Sequence, residues 1–277
     1  RVSWILTKNK PAWFQAEGGD VHANTGDVVS KIPATCTGPA CEPYLLTDAT
    51  EADNGVVSAT GTLDLGDEFD NPPDRTLPNH VAEDSHDWYA NGSGAYGGKT
   101  YGYAFWNKEL SGELTEIQSA GQARAILQSS QDGAWIKNSD LDIDFPGGPS
   151  TVNIQGKKFI LVQGKVTIRE NLNVEPNSSL VIVASGDIEI IPAITAIDGY
   201  FISDQNITTG TNGSAADDQL VVTGGLIGLG RVSLQRDLRD KNKNQPAEKF
   251  VFDPQLFLNL PNAVKVKDIK RWQEVAP

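Results

Sequence analysis

Asp84-Ser85-His86-Asp87-Trp88-Tyr89 places an imidazole between carboxylates and beside two aromatic rings. A histidine so flanked can serve as a general base or a metal ligand, and Trp88 can offer a flat platform to a sugar ring. No G-x-S-x-G nucleophile motif accompanies it. The same residues also suit a surface loop whose Trp88 and Tyr89 pack inward. A second group is Asn138, Asp140, Asp142 and Asp144 in NSDLDIDFPGG. On a strand, alternate residues share a face, so three carboxylates there would repel one another unless solvated or bridged by a cation. Calcium accepts several oxygen ligands in loose geometry and would suit Asp140, Asp142 and Asp144. The intervening Leu141, Ile143 and Phe145 are equally what a half-buried strand carries.

The third group is aromatic. Trp88, Tyr89, Tyr96, Tyr101, Tyr103 and Trp106 fall within nineteen residues of a Gly- and Asn-rich stretch. Rigid rings among small polar residues offer contact area at little cost in conformational entropy, which suits a binding surface. The candidate ligand-binding set is therefore Trp88, Tyr89, Tyr96, Tyr101 and Trp106 with Asp84 and His86, and the alternative for these rings is a small aromatic core. No catalytic residue is assigned. Glycoside hydrolysis needs two carboxylates roughly 5–10 Å apart across a cleft, and acids are too abundant here for spacing to select a pair. A lyase would want a basic residue near bound cations, for which Arg231 is the candidate.

The elements that would position these groups must come from a chain of 277 residues, 39% hydrophobic and 21% charged, enough for a sizeable core. No apolar run approaches the roughly 20 residues needed to cross a bilayer. The opening RVSWILTKNK lacks the pattern of a signal peptide. No direct membrane insertion is expected of this stretch, and the absence of Met reads as the mark of a mature or excised piece of a larger protein. A formal charge of −13 would repel a polyanion, so nucleic acid is not an expected partner. Cys36 and Cys41, in CTGPAC, are the only cysteines, too few with three histidines for a closed zinc site. A disulfide closing this short loop fits better, and with it an oxidising, extracellular compartment.

A repeat organises the rest. Val162-Gln-Gly-Lys-Val-Thr-Ile168, Ala184-Ser-Gly-Asp-Ile-Glu-Ile190, Ser203-Asp-Gln-Asn-Ile-Thr-Thr209 and Gly228-Leu-Gly-Arg-Val-Ser-Leu234 align on Gly164, Gly186, Gln205 and Gly230. Those positions are 22, 19 and 25 residues apart, the repeat length of a solenoid. Each repeat reads as an apolar strand, a small-residue corner and a second strand alternating apolar with polar. Stacked in parallel, each would bury its neighbour's inward side chains. Gly19-Asp-Val-His and Gly26-Asp-Val-Val use the same idiom, so residues 1–30 are expected to supply an early repeat. The expected fold is all-β, a right-handed parallel β-helix with an inserted α+β excursion over 31–150 and a C-terminal cap. In this reading 1–30 and 151–277 form the core. The excursion is predicted to hold helices around Tyr103–Leu110 and Leu114–Ser129. PAEKFVFDPQLFLNLP, at 246–261, reads as a cap across the last repeat that hides a sheet edge.

WFQAEGGDVHA, GYFISDQNITTG, GLIGLGRVSLQRDL and PAEKFVFDPQLFLNLP with the terminal WQEVAP together resemble the C-terminal regions of large cell-surface proteins from candidate-phylum, Patescibacteria-type bacteria. Residues 31–150 share least in this resemblance. A looser likeness is to β-helical carbohydrate-binding and pilus-associated modules. The resemblance implies an extracellular or cell-surface location within a larger surface protein, and transfers no catalytic residues. The expected function is non-catalytic binding or adhesion to a polysaccharide or surface glycan. The alternatives are a polysaccharide-active hydrolase or lyase and a purely structural part of a surface filament.

Overall fold

The computed structural model describes residues 14–17, 20–23, 26–30, 45–47, 57–59, 63–64, 89–91, 101–144, 151–210, 217–239, 241 and 245–265. The first strands are β1 (Phe14–Glu17), β2 (Asp20–Ala23), β3 (Val28–Ser30), β4 (Leu45–Thr47), β5 (Val57–Ala59), β6 (Leu63–Asp64) and β7 (Tyr89–Asn91). Helix α1 (Tyr103–Glu109), β8 (Thr115–Glu116) and helix α2 (Ala120–Gln128) follow. Next come β9 (Gly133–Lys137), β10 (Leu141–Ile143), β11 (Thr151–Ile154), β12 (Lys157–Val162), β13 (Val166–Ile168), β14 (Asn171–Val174) and β15 (Ser179–Ala184). The remainder are β16 (Ile188–Ile190), β17 (Ala196–Ser203), β18 (Ile207–Thr209), β19 (Leu220–Gly228), β20 (Val232–Leu234), β21 (Glu248–Val251), α3 (Pro254–Leu258) and α4 (Asn262–Lys265).

Alternation sets the inside. Val166, Ile168, Ile188, Ile190, Ile207, Val232 and Leu234 are wholly buried, and Thr167, Glu189 and Thr208 between them look outward. Burying each such aliphatic side chain is worth roughly 1.5–3 kcal/mol. The strands pair in the register of the aligned repeat. Val166 lies beside Ile188, Ile188 beside Ile207, and Ile207 beside Val232. On the other side of each corner Val162 lies beside Ala184, Ala184 beside Ser203 and Ser203 beside Gly228.

The expectation of an all-β, right-handed parallel β-helix formed as one solenoid is corrected. Among the described residues the strands form two separate parallel sheets, one of 14 strands and one of 7, and helices are part of the fold. The larger sheet branches. Strand β17 pairs with both β14 and β15, and β19 pairs with β17, β2 and β21. The physical reason lies in Gly199 and Gly224, neighbours in register with φ of +136° and +120°. A strand that bends through a left-handed glycine keeps its hydrogen bonds, so two rows that would otherwise be separate sheets become one.

Two further corrections concern the ends of the chain. Strands β2 and β3 do not lie beside the first repeat: β2 pairs with β19 and β3 with β20, which places them beside the last one. The expected C-terminal cap is in part an internal strand, because β21 lies between β19 and β1. Beyond it α3 and α4 run back to contact β15 and β9 rather than closing an end. The end next to β10 and β11 is covered by α2, whose Ala123, Ile126 and Leu127 join the interior cluster. Within the span expected as an excursion, β9 and β10 are members of the two sheets. Helix α1 begins at Tyr103 as expected, whereas 114–129 divides into β8 and the shorter α2. The division is set by Ser119, whose Oγ accepts the Gln122 amide hydrogen at 3.2 Å and caps the helix.

Gly224→Ala would force a side chain into left-handed backbone against the Gly199 carbonyl, and should cost about 3 kcal/mol in urea unfolding. Gly121→Ala, in α2 with only Ser119 Oγ near the new methyl, should instead stabilise by roughly 0.5 kcal/mol. A Gly224→Ala protein as stable as the parent would contradict the bend described here.

Candidate functional site

Three outward faces differ in chemistry. The first, on the seven-stranded sheet, carries Asp142, Thr167, Glu189, Thr208 and Ser233 in one row. Its charges are matched: Arg169 Nε meets Asp142 Oδ1 at 3.0 Å, Lys165 pairs with Glu189, and Arg231 meets Asp27 at 3.2 Å. The second face, on β9, β12 and β15, is apolar and covered. Phe159, Leu161, Val181 and Val183 are buried beneath Leu110, Trp106 and the α4 residue Val264. Asp204 Oδ1 accepts the Tyr103 amide hydrogen at 2.9 Å and so ties the start of α1 to the corner after β17.

The third face spans β11, β14 and the early halves of β17 and β19. Val152, Ile154, Leu172, Ile197 and Val222 point inward, and the residues between them point out. Asn153 is in register with Asn173, the pairing of Leu172 with Ile197 brings Asp198 next to it, and Asp198 is in register with Thr223. The result is a polar column, one group per strand at roughly 4.8 Å spacing. Asn173 Nδ2 donates to Asn153 Oδ1 at 3.0 Å, and the Val174 amide donates to Asp198 Oδ2 at 3.0 Å. The column reaches β21 at Val251, and the chain then presents Phe252, 46% exposed, and Asp253.

Burial holds the Asp198 carboxyl above its ordinary range, and the charge of Asp253 adds to the effect. Hydrogen bonds from the Val174 amide and the Thr223 hydroxyl act the other way without cancelling it. The column therefore joins two amides, a hydroxyl, an acid that retains its proton more readily than usual, a second carboxylate and an exposed ring. Such a set can exchange hydrogen bonds with the hydroxyls of a sugar chain and stack a pyranose face.

The residues singled out from sequence fall elsewhere. Asp84, His86, Trp88, Tyr96, Cys36 and Cys41 lie outside the described residues, and Tyr89 is placed only by its backbone, in register with Val57. Tyr101 is 41% exposed and meets Phe105 edge-on at 4.9 Å. Trp106 packs between Phe105 at 5.1 Å and Phe159 at 5.0 Å, so it fastens α1 to the sheet. Asp140 Oδ1 accepts the Lys165 amide hydrogen at 2.8 Å, Asp142 is held by Arg169, and Asp144 is exposed. Among the described residues no three His, Cys, Asp or Glu side chains gather as metal ligands. No described helix is long and apolar enough to cross a membrane.

Sequence reasoning also missed the burial of charged side chains, of which Lys158, Arg236 and Glu248 are completely buried. Lys158 donates to the Ser129 carbonyl at 2.8 Å and to that of Gln131, closing the end of α2, and lies 5.2 Å from the Trp135 ring. Burial lowers its pKa to about 8, against the pull of Asp132. Arg236 donates to the carbonyls of Ile191, Pro192, Ile194 and Asp218. Glu248 lies beside it, wholly buried. The signal was present in the alternation: Lys158, Arg236 and Glu248 each occupy the inward parity of a strand or its continuation, a place where charge is costly unless partnered. The residues of the column share an offset in TVNI, NLNV, AID and VVT, but nothing local to any one of these stretches sets them apart.

Comparison of the chain with protein-family models and with curated proteins finds no match in either.

Asp253→Asn removes the like charge that acts on Asp198, so the Asp198 carboxyl should titrate at lower pH, read from its side-chain carbon resonance by NMR. An unchanged midpoint would mean that burial alone raises it.

Proposed function

We propose that this chain is an extracellular, non-catalytic binding module within a larger surface protein, and that it recognises an extended, uncharged polysaccharide. The observation that carries this reading is the column Asn153, Asn173, Asp198 and Thr223, which meets a chain lying across the strands with a polar group at every step. Its openness suits a polymer rather than a small molecule, which would want a concave pocket. Asp198, Asp253 and the net charge of −13 disfavour polyuronates and other acidic glycans. Phe252 supplies the apolar surface that a sugar ring stacks against. The aromatic residues singled out in the 31–150 span, Trp88 and Tyr101 foremost, stay candidate contacts in this reading.

A second reading has one observation in its favour. A carboxyl with a raised pKa next to a second carboxylate is the pairing used by glycoside hydrolases, so Asp198 would be the acid and Asp253 its partner.

The test is binding of the purified chain to insoluble neutral polysaccharides, to a polyuronate and to a soluble glycan array, in calcium and in chelator. Reducing ends are assayed in the same tubes. Saturable binding to a neutral glycan is expected, weakened about tenfold by Asn173→Ala and by Asp198→Ala, as loss of a hydrogen bond or two implies. Trp88→Ala reports on the aromatic set. Trp106→Ala is not a clean probe, since removing a packed Trp costs about 3 kcal/mol in stability. Release of reducing ends that stops in Asp198→Asn would move the assignment to hydrolase. Binding to nothing in either condition would leave the structural role.

A further inference from the structure

Strand β21 joins two parts of the chain. On one side it pairs with β19, and on the other with β1, which in turn carries β4. Glu248 is its first residue, in register with Leu220 and with Phe14, and is completely buried. One carboxyl oxygen, Oε1, accepts from Thr209 Oγ1 at 2.7 Å and from the Arg236 amide at 3.1 Å. The other, Oε2, is buried with no hydrogen-bond partner. The adjacent guanidinium does not fork onto the carboxyl: its Nη1 and Nη2 are given to four main-chain carbonyls, and its Nε has no hydrogen-bond partner.

We propose that Glu248 is a proton-dependent clasp: neutral, it locks β21 into the sheet and with it the N-terminal strands β1 and β4, and its ionisation loosens that docking. A buried carboxylate oxygen without a donor is far costlier than the same oxygen in a neutral acid. The surrounding charges do not remove that cost. Arg236 favours the ionised form and Asp217 opposes it. Around them stand Asp218, Asp237 and Arg239, of which Asp237 and Arg239 pair at 2.9 Å. Strand β19, Leu220–Gly228, contributes no titratable side chain. Strand β1 contributes Glu17, in register with Val251 three positions away, and Lys249 on β21 itself has the outward parity.

The direction of the effect follows from linkage. Burial pushes the Glu248 carboxyl from 4.5 up to about 7. The docked strand therefore holds a proton that the opened one has released, so docking is strongest below the ordinary value, weakens as pH rises through this window, and is flat above it.

Hydrogen exchange at the amides of 14–17 and 248–251, on the full chain from pH 4.5 to 8 and corrected for intrinsic rates, tests this. The opening constant should rise about tenfold per pH unit up to about 7, and the slope should vanish in Glu248→Gln, which keeps the shape and one acceptor. Thr209→Val, lacking a bond that favours the ionised form, should extend the window to higher pH, and answers the question if Glu248→Gln does not fold. A parent protein with no slope, a slope retained in Glu248→Gln, or a window unmoved in Thr209→Val would overturn the proposal. A retained slope would assign the effect to Asp217.

Discussion

Corner against corner, backbone meets backbone. The Gly186 amide donates to the Gly164 carbonyl at 2.9 Å, and the Gly230 amide donates to the Gln205 carbonyl at 2.7 Å. A Cβ on Gly186 would come within 2.9 Å of that same Gly164 carbonyl. This close approach fixes how one repeat lies on the next, and the other features of the structure follow from it. With the corners in register, each inward aliphatic sits over another. A slip of one residue would turn every one of them to the opposite face. Ser203 reinforces the arrangement by donating its hydroxyl to the Gly186 carbonyl at 2.8 Å from inside.

Parallel strands satisfy their own backbone groups, but the segments that join them do not. Two of these joints are served by a cation reaching from the apolar side. Lys158 takes the carbonyls at the end of α2, where the helix dipole also favours positive charge. Arg236 takes those between β16 and β17 and one before β19. Glu248 is the consequence of that second choice: a carboxyl placed beside an arginine whose Nη groups are turned elsewhere. The outer faces obey a different rule, since water is available to them. One is ion-paired, one is roofed by helices, and one presents amides, a hydroxyl and acids.

What the sequence revealed is divided by range. Contacts between successive repeats were legible, because the glycine that permits the corner also marks the register: Val162, Ala184, Ser203 and Gly228 align in the sequence and are neighbours in the sheet. The fusion of rows into a branched sheet was not. It depends on Gly199 and Gly224 sitting mid-strand, where a glycine reads as a break. The placement of β21 between β19 and β1 left no local trace, because Phe14 and Glu248 meet across almost the whole chain. The site divides the same way. Histidine and tryptophan attract attention by rarity, whereas Asn153, Asn173, Asp198 and Thr223 are ordinary residues that acquire meaning only once four strands are set side by side.

That pairing of first strand with last bears on how the protein is made. Strand β1 leaves the ribosome more than 200 residues ahead of β21, its link to the rest of the sheet. Until then, among the described strands, β1 and β4 have only each other to pair with, a two-strand fragment too small to persist alone. The repeats can add one upon another as they emerge, but β1 and β4 must wait for β21 with their edges open. This part of the sheet is thus closed by a segment made long before its partner, and the nascent chain is most vulnerable to aggregation before that step.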